Sequence, residues 1–259
     1  MRQQRILEVL ACGLLVAGVA CHPGRRLAKQ PPPAPDPAVG LDHAMQQFRR
    51  GDFRHAQLGL QRLTYEFGPS QPQLAQTRYY LAECSFQMGE YVQAASDFRK
   101  VADDFSTSEY APTALLRAGD ANLKLWHRPE LDPSYGETAL AIYQELAARY
   151  PESEAAGRAR PHVQRLENQF AEKAYKTGLF YFRRKAFDSA IIYFKDVIAN
   201  YPNAARAPDA LLRLVDSYQA IGYKEEKQET CAHLRRYYPN AAQLDRSCPV
   251  VADSSATPS

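Results

Sequence analysis

The segment Lys185-Ala186-Phe187-Asp188-Ser189-Ala190-Ile191-Ile192-Tyr193-Phe194-Lys195-Asp196-Val197-Ile198-Ala199-Asn200-Tyr201-Pro202 reads as a turn carrying an aromatic, followed by a helix with a marked end. Ala190 and Phe194 lie one helical turn apart and so share a face. The small alanine admits a neighbouring helix closely, and the phenylalanine fills the space beside it. Tyr201-Pro202 closes the helix, because proline disfavours helical geometry in the residue before it and cannot donate the next backbone bond.

The same register recurs along the chain. Ala56 leads to Phe67-Gly68, Ala94 to Phe105-Ser106, Ala139 to Tyr150-Pro151 and Lys227 to Tyr238-Pro239. Four residues after each starting position stand Leu60, Phe98, Tyr143, Phe194 and Cys231, which the spacing places in the core. The turns Gly51-Asp52-Phe53, Gly89-Glu90-Tyr91 and Gly222-Tyr223-Lys224 repeat the turn at Phe187, with glycine free to take the left-handed conformation that ends a helix. Starting positions 38, 45, 51 and 37 residues apart indicate an array of helix pairs, since each pair buries its apolar face only against the next. The expected fold is all-α, a tetratricopeptide-repeat superhelix of about five helix-turn-helix repeats, and its function should be binding.

The uneven periods carry architecture. The excess before Ala139 falls around Trp126, His127, Arg128, Pro129 and Asp132-Pro133, which predicts a lengthened loop inside the third repeat. The excess before Ala190 is enough for one additional helix, so 153–184 should be helical for most of its length, with a bend or restart at Pro161. A long helical strut between repeats three and four is the expectation.

Composition fits one elongated helical domain. The 259 residues are 45% hydrophobic and 24% charged, and the net charge of +3 argues against nucleic acid as the default partner. The basic clusters Arg49-Arg50, Arg183-Arg184-Lys185 and Arg235-Arg236 read first as solvated helix faces. The six histidines show no metal-ligand spacing, and neither a phosphate loop nor a nucleophile elbow occurs, so no catalytic residue, metal or cofactor is expected.

At the N-terminus, Arg2 and Arg5 precede an apolar run from Ile6 to Ala20 that ends in Gly18-Val19-Ala20-Cys21. The run is short for a membrane span and suits an export signal over 1–20. Small residues before Cys21 resemble a bacterial lipobox, which makes Cys21 the expected lipidation site in preference to Cys12, although the usual Leu, Val or Ile is replaced by Gly18. The stretch 21–40, with Pro31-Pro32-Pro33-Ala34-Pro35, should be an extended tether. Cys231 and Cys248 are able to pair if the C-terminal tail folds back, while Cys84 reads as a small buried residue. The stretch 241–259 is expected to be a disordered tail.

A lipobox, a tether, five repeats, the lengthened third and the long helix before the fourth together resemble the BamD family of outer-membrane β-barrel assembly lipoproteins. Leu131-Asp132-Pro133, Tyr150-Pro151-Glu152-Ser153, Arg165-Leu166, Phe170-Ala171 and Tyr181 carry the likeness, which runs from about Leu41 to Asn240. Phe67-Gly68-Pro69 departs from the family's Tyr-Pro-Phe, and Ile192-Tyr193 stands where relatives often carry an arginine. The resemblance implies a lipid-anchored, periplasm-facing outer-membrane component with no enzymatic role. Repeats one to three (41–151) would receive unfolded outer-membrane protein clients, and the linking helix with repeats four and five (152–240) would dock on a BamA-like subunit beside other assembly lipoproteins. On the tetratricopeptide template, whose first helices line the concave side, the client groove is lined by Phe48, Arg49, Tyr79, Glu83, Phe86 and Lys124, with Arg49 or Lys124 meeting a terminal carboxylate. Tyr175, Phe182 and Arg183 are the docking candidates. Two alternatives remain open at this stage, a Tol-Pal-associated tetratricopeptide coordinator and a scaffold lipoprotein for polysaccharide or pilus export.

Overall fold

The computed structural model describes residues 36–127 and 132–249; the expected signal segment, Cys21, most of the expected tether and the end of the tail lie outside them. Within these bounds the helices pair in chain order: α1 (Pro37–Arg49) with α2 (Phe53–Glu66), α3 (Pro72–Gln87) with α4 (Tyr91–Asp104), and α5 (Tyr110–Leu125) with α6 (Ser134–Arg149). Then α7 (Glu154–Arg183) pairs with α8 (Phe187–Asn200), α9 (Ala207–Ile221) with α10 (Lys224–Tyr237), and a short α11 (Leu244–Ser247) follows. The protein is an all-α tetratricopeptide-repeat array, with neither strand nor bridge among the described residues.

The register alanines explain why the pairs form. Ala56, Ala94, Ala139 and Ala190 are fully buried, as are Leu60, Phe98, Tyr143 and Phe194 one turn on, and Cys231 is nearly so. At the turns, Gly51, Gly89 and Gly222 adopt positive φ, and Lys185 takes the same conformation without being glycine. Each turn aromatic packs on an aromatic five positions earlier: Phe53 on Phe48, Tyr91 on Phe86, Phe187 on Phe182 and Tyr223 on Tyr218, with ring centroids between 5.2 and 6.2 Å apart. The closing tyrosines also tie repeats together. The Tyr150 hydroxyl donates to the carbonyl of Ser106 at 2.8 Å, and that of Tyr238 to the carbonyl of Pro202 at 2.6 Å, each acceptor standing just past the end of the preceding repeat.

Three expectations are corrected. The excess length before Ala190 forms no separate helix: α7 is one helix of 30 residues that serves as strut and as first helix of the fourth pair. It runs through Pro161, which forgoes one ladder bond, because Ala155, Ala156, Ala159 and Leu166 bury its first half. The helical array begins at Pro37, inside the expected tether, with the Asp36 carboxylate accepting from the Ala38 amide at 2.9 Å. Residues 241–249, expected to be disordered, fold back: Cys231 and Cys248 form a disulfide, and Leu244 packs with Leu211, Leu212, Val215 and Leu234. Of the lengthened loop, 128–131 lie outside the described residues, and Trp126 Nε1 donates to the carbonyl of Asp132 at 2.8 Å.

Candidate functional site

The groove candidates of the first half separate into buried and exposed sets. Tyr79, Glu83 and Phe86 are each less than 10% exposed and are committed inside the array. Tyr79 sits among Tyr80, Phe98 and Tyr110, and burial, followed by the charge of Glu83, pushes its hydroxyl pKa upward. Glu83 accepts from both Nε and Nη2 of Arg117, at 2.8 and 2.5 Å, and the Arg117 guanidinium lies 3.8 Å over the Phe86 ring. This bidentate, stacked arrangement closes the space between α3 and α5. The contact role expected of these three side chains is therefore unavailable to them. Phe48 is half-buried between Phe53 and Tyr80, while Arg49 and Lys124 are exposed.

In the second half, Tyr175 is buried against Phe194, with the Arg206 guanidinium 5.1 Å over its ring. Phe182 is half-buried between Phe187 and Phe194. Arg183 is exposed, and so are Arg184 and Phe180 beside it. Ile192 is also exposed, and Tyr193 stacks on Tyr181 at 5.5 Å.

What the structure brings together is a trough along α7. Its first part is lined by Trp126, Gln169, Phe170, Glu172, Lys173, Lys176 and Thr177. Its second continues from Glu172 and Lys176 past Tyr175, Leu179 and Phe180 to Arg183, Arg184 and Arg206. Two register effects build it. The length of α7 carries one face past the end of α5, where Trp126 packs on Phe170 at 5.5 Å. At the start of α9, Arg206 Nε reaches Glu172 at 2.5 Å while its Nη1 holds Asp209 at 2.7 Å. The hydrogen bond from Arg206 holds the Glu172 carboxyl below its ordinary pKa, and the same two carboxylates raise Arg206. Of the predicted site residues, Tyr175 and Arg183 line this trough; the first-half candidates do not join it.

Sequence reading by single register positions passed over Lys176, Leu179, Phe180, Arg184 and Arg206. A signal for them exists. Tyr79, Phe86, Ala94, Phe98, Ala111, Arg117 and Asp120 recur as Tyr175, Phe182, Ala190, Phe194, Ala207, Arg213 and Asp216 at one constant offset. Superposing those two stretches singles out the trough positions as the places where a shared framework changes.

A family model described as YfiO, outer membrane lipoprotein, matches residues 36–234, from the start of α1 into the last turn of α10. The chain belongs to the BamD family of outer-membrane lipoproteins. Among curated BamD family proteins, the outer membrane protein assembly factor BamD of Caulobacter vibrioides is 34% identical over 108 residues, 42% of this chain and 35% of that protein. The BamD of Xylella fastidiosa is 26% identical over 227 residues, 83% of this chain and 76% of its own length. The chain thus spans about a third of the first relative and three quarters of the second. Among solved structures, the TPR2AB-domain:pHSP90 complex of yeast Sti1 aligns at TM-score 0.41 and 15% identity, over 82% of this chain and 81% of that one.

Proposed function

We propose that this BamD family member takes part in assembling outer-membrane β-barrel proteins; its curated relatives are named outer membrane protein assembly factors. It is anchored through lipidated Cys21, with the array facing the periplasm. The observation that carries the reading is the coincidence of the family match over 36–234 with an open trough built from first helices of that array. In this reading the first-helix side holds unfolded segments of barrel clients, with Arg49 and Lys124 as the accessible first-half contacts. The half containing repeats four and five docks on a BamA-like subunit.

The test is site-specific photocrosslinking in intact cells from Lys124 and Arg183, which are exposed and whose replacement leaves the core intact. Recovery of nascent outer-membrane barrel proteins from Lys124 and of a large membrane-embedded barrel subunit from Arg183 is the expected result. Recovery of Tol proteins, or of no barrel protein from either site, would overturn the reading. For the anchor, metabolic labelling with palmitate should mark the wild-type chain and not Cys21→Ser.

A further inference from the structure

The internal duplication shows where charge has been placed. Across the constant offset the core residues match, while Thr77, Tyr80, Gln87, Met88, Gly89 and Tyr110 correspond to Lys173, Lys176, Arg183, Arg184, Lys185 and Arg206. Glu83, which closes the first-half site by holding Arg117, corresponds to Leu179. Four carboxylates are gained, Glu172, Asp188, Asp196 and Asp209, and Arg206 engages Glu172 and Asp209. Lys176 shares Glu172 at 3.3 Å, whereas Lys173, Arg183, Arg184 and Lys185 form no ion pair among the described residues. A helix end alone does not account for this. The last turn of α3 is uncharged at the matching positions Gln87 and Met88, and Lys173 and Lys176 lie far from the end of α7.

Apolar surface lies within the same trough. Phe180 is 49% exposed, with the Arg184 guanidinium 4.3 Å over its ring, and Leu179 lies beside it. A row of exposed cations, of which Arg183 and Arg184 form no ion pair among the described residues, beside an aromatic and an aliphatic side chain complements a chain that alternates carboxylates with apolar groups. A flat layer of anionic lipid headgroups does not follow the concave floor between α7 and the start of α9 in which Leu179 and Phe180 lie.

We propose that the α7 trough binds an extended acidic peptide segment, its carboxylates meeting Lys176, Arg183 and Arg184 and its apolar side chains seating on Leu179 and Phe180. This deepens the assembly reading, on which it rests for the docking role of repeats four and five: the segment is an extended stretch of the docked partner. Purified full-length chain in nonionic detergent is titrated, by fluorescence anisotropy, against a fluorescein-labelled peptide of alternating Glu and Phe and against its Lys-Phe counterpart. The Glu-Phe peptide binds, the Lys-Phe peptide does not, and added salt weakens the complex. The double variant Arg183→Glu, Arg184→Glu loses about tenfold or more in affinity, whereas Arg62→Glu, at an exposed site on α2 away from the trough, does not. Equal binding of both peptides, or no effect of the double reversal, overturns the proposal. So does a double variant that loses association with phosphatidylglycerol vesicles while keeping the peptide, which reassigns the cations to a lipid surface. The binding is read on purified protein, so it is separable from the cellular crosslinks: an acidic-peptide site with no barrel partner in cells leaves this inference standing and removes the assembly role.

Discussion

Tyr143 occupies the joint between α5 and α6 so fully that a Cβ on Gly119 would lie 2.4 Å from its ring. The ring has no way to yield, because its hydroxyl donates to Asp120 at 2.8 Å and its face stacks on His162 at 5.2 Å. Gly119→Ala should therefore destabilise the protein by about 1–3 kcal/mol through overpacking. Thermal denaturation reads this directly, and an unchanged midpoint would show that the joint is looser than the contacts imply. The burial of Tyr143 was legible, since it stands one helical turn after Ala139 in a register repeated along the chain. The need for glycine opposite it was not, because that depends on how closely two helices approach. The same limit explains Glu83: its position on the first-helix side follows from spacing, but its capture by an arginine of the next repeat is a tertiary fact.

At the scale of elements, α7 was legible as extra helical length, and its continuity through Pro161 was not. Proline removes one ladder bond, and only packing of the flanking turns shows whether the helix survives that loss. The contact between α7 and α9 through Glu172 and Arg206 yields a pH prediction. The folded-state pKa of Glu172 lies below its ordinary 4.5, so the stabilisation is fully present above that value and is lost as pH falls through the lower, folded one. Glu172→Gln should accordingly be less stable than wild type at neutral pH, with the two melting temperatures converging on acidification. A constant gap across that range would assign the difference to shape rather than ionisation. The fold-back of 241–249 had only two cysteines to announce it. In the structure it covers the apolar end of the last repeat, and Arg235 donates to the Cys248 carbonyl. With the cysteines 17 positions apart, opening the disulfide should cost about 3 kcal/mol, felt first in α10 and α11. Comparing melts with and without reductant, and of Cys231→Ser with Cys248→Ser, checks this; insensitivity to reductant would mean that packing alone holds the segment.

Over the whole array, repeat number and order were legible because they depend on a period, which a single chain displays. The charge of the trough is diluted in a net charge of +3; Arg183-Arg184-Lys185 stands out as a basic cluster, but only superposition of the halves joins it to Lys173, Lys176 and Arg206. The core has the same serial character. One apolar cluster joins α1, α2 and one side of α3, a second spans α3 to the first half of α7, a third runs from the second half of α7 to α9, and a fourth covers α9 to α11. Helix α7 crosses from the second cluster to the third, with Phe170 in one and Ala171 in the other. Stability in such an array is a sum of neighbouring interfaces, so damage should spread by proximity. Leu60→Ala, at a fully buried site in the first cluster, should destabilise its surroundings by about 2–5 kcal/mol. Amide hydrogen exchange in α1 and α2 should accelerate strongly and that of α3 and α4 less, while α9 and α10 keep wild-type protection, because no side chain of the first cluster touches the fourth. Equal acceleration from α1 to α10 would instead mean that the protein opens as one unit, with α7 acting as a rigid spine that couples both ends.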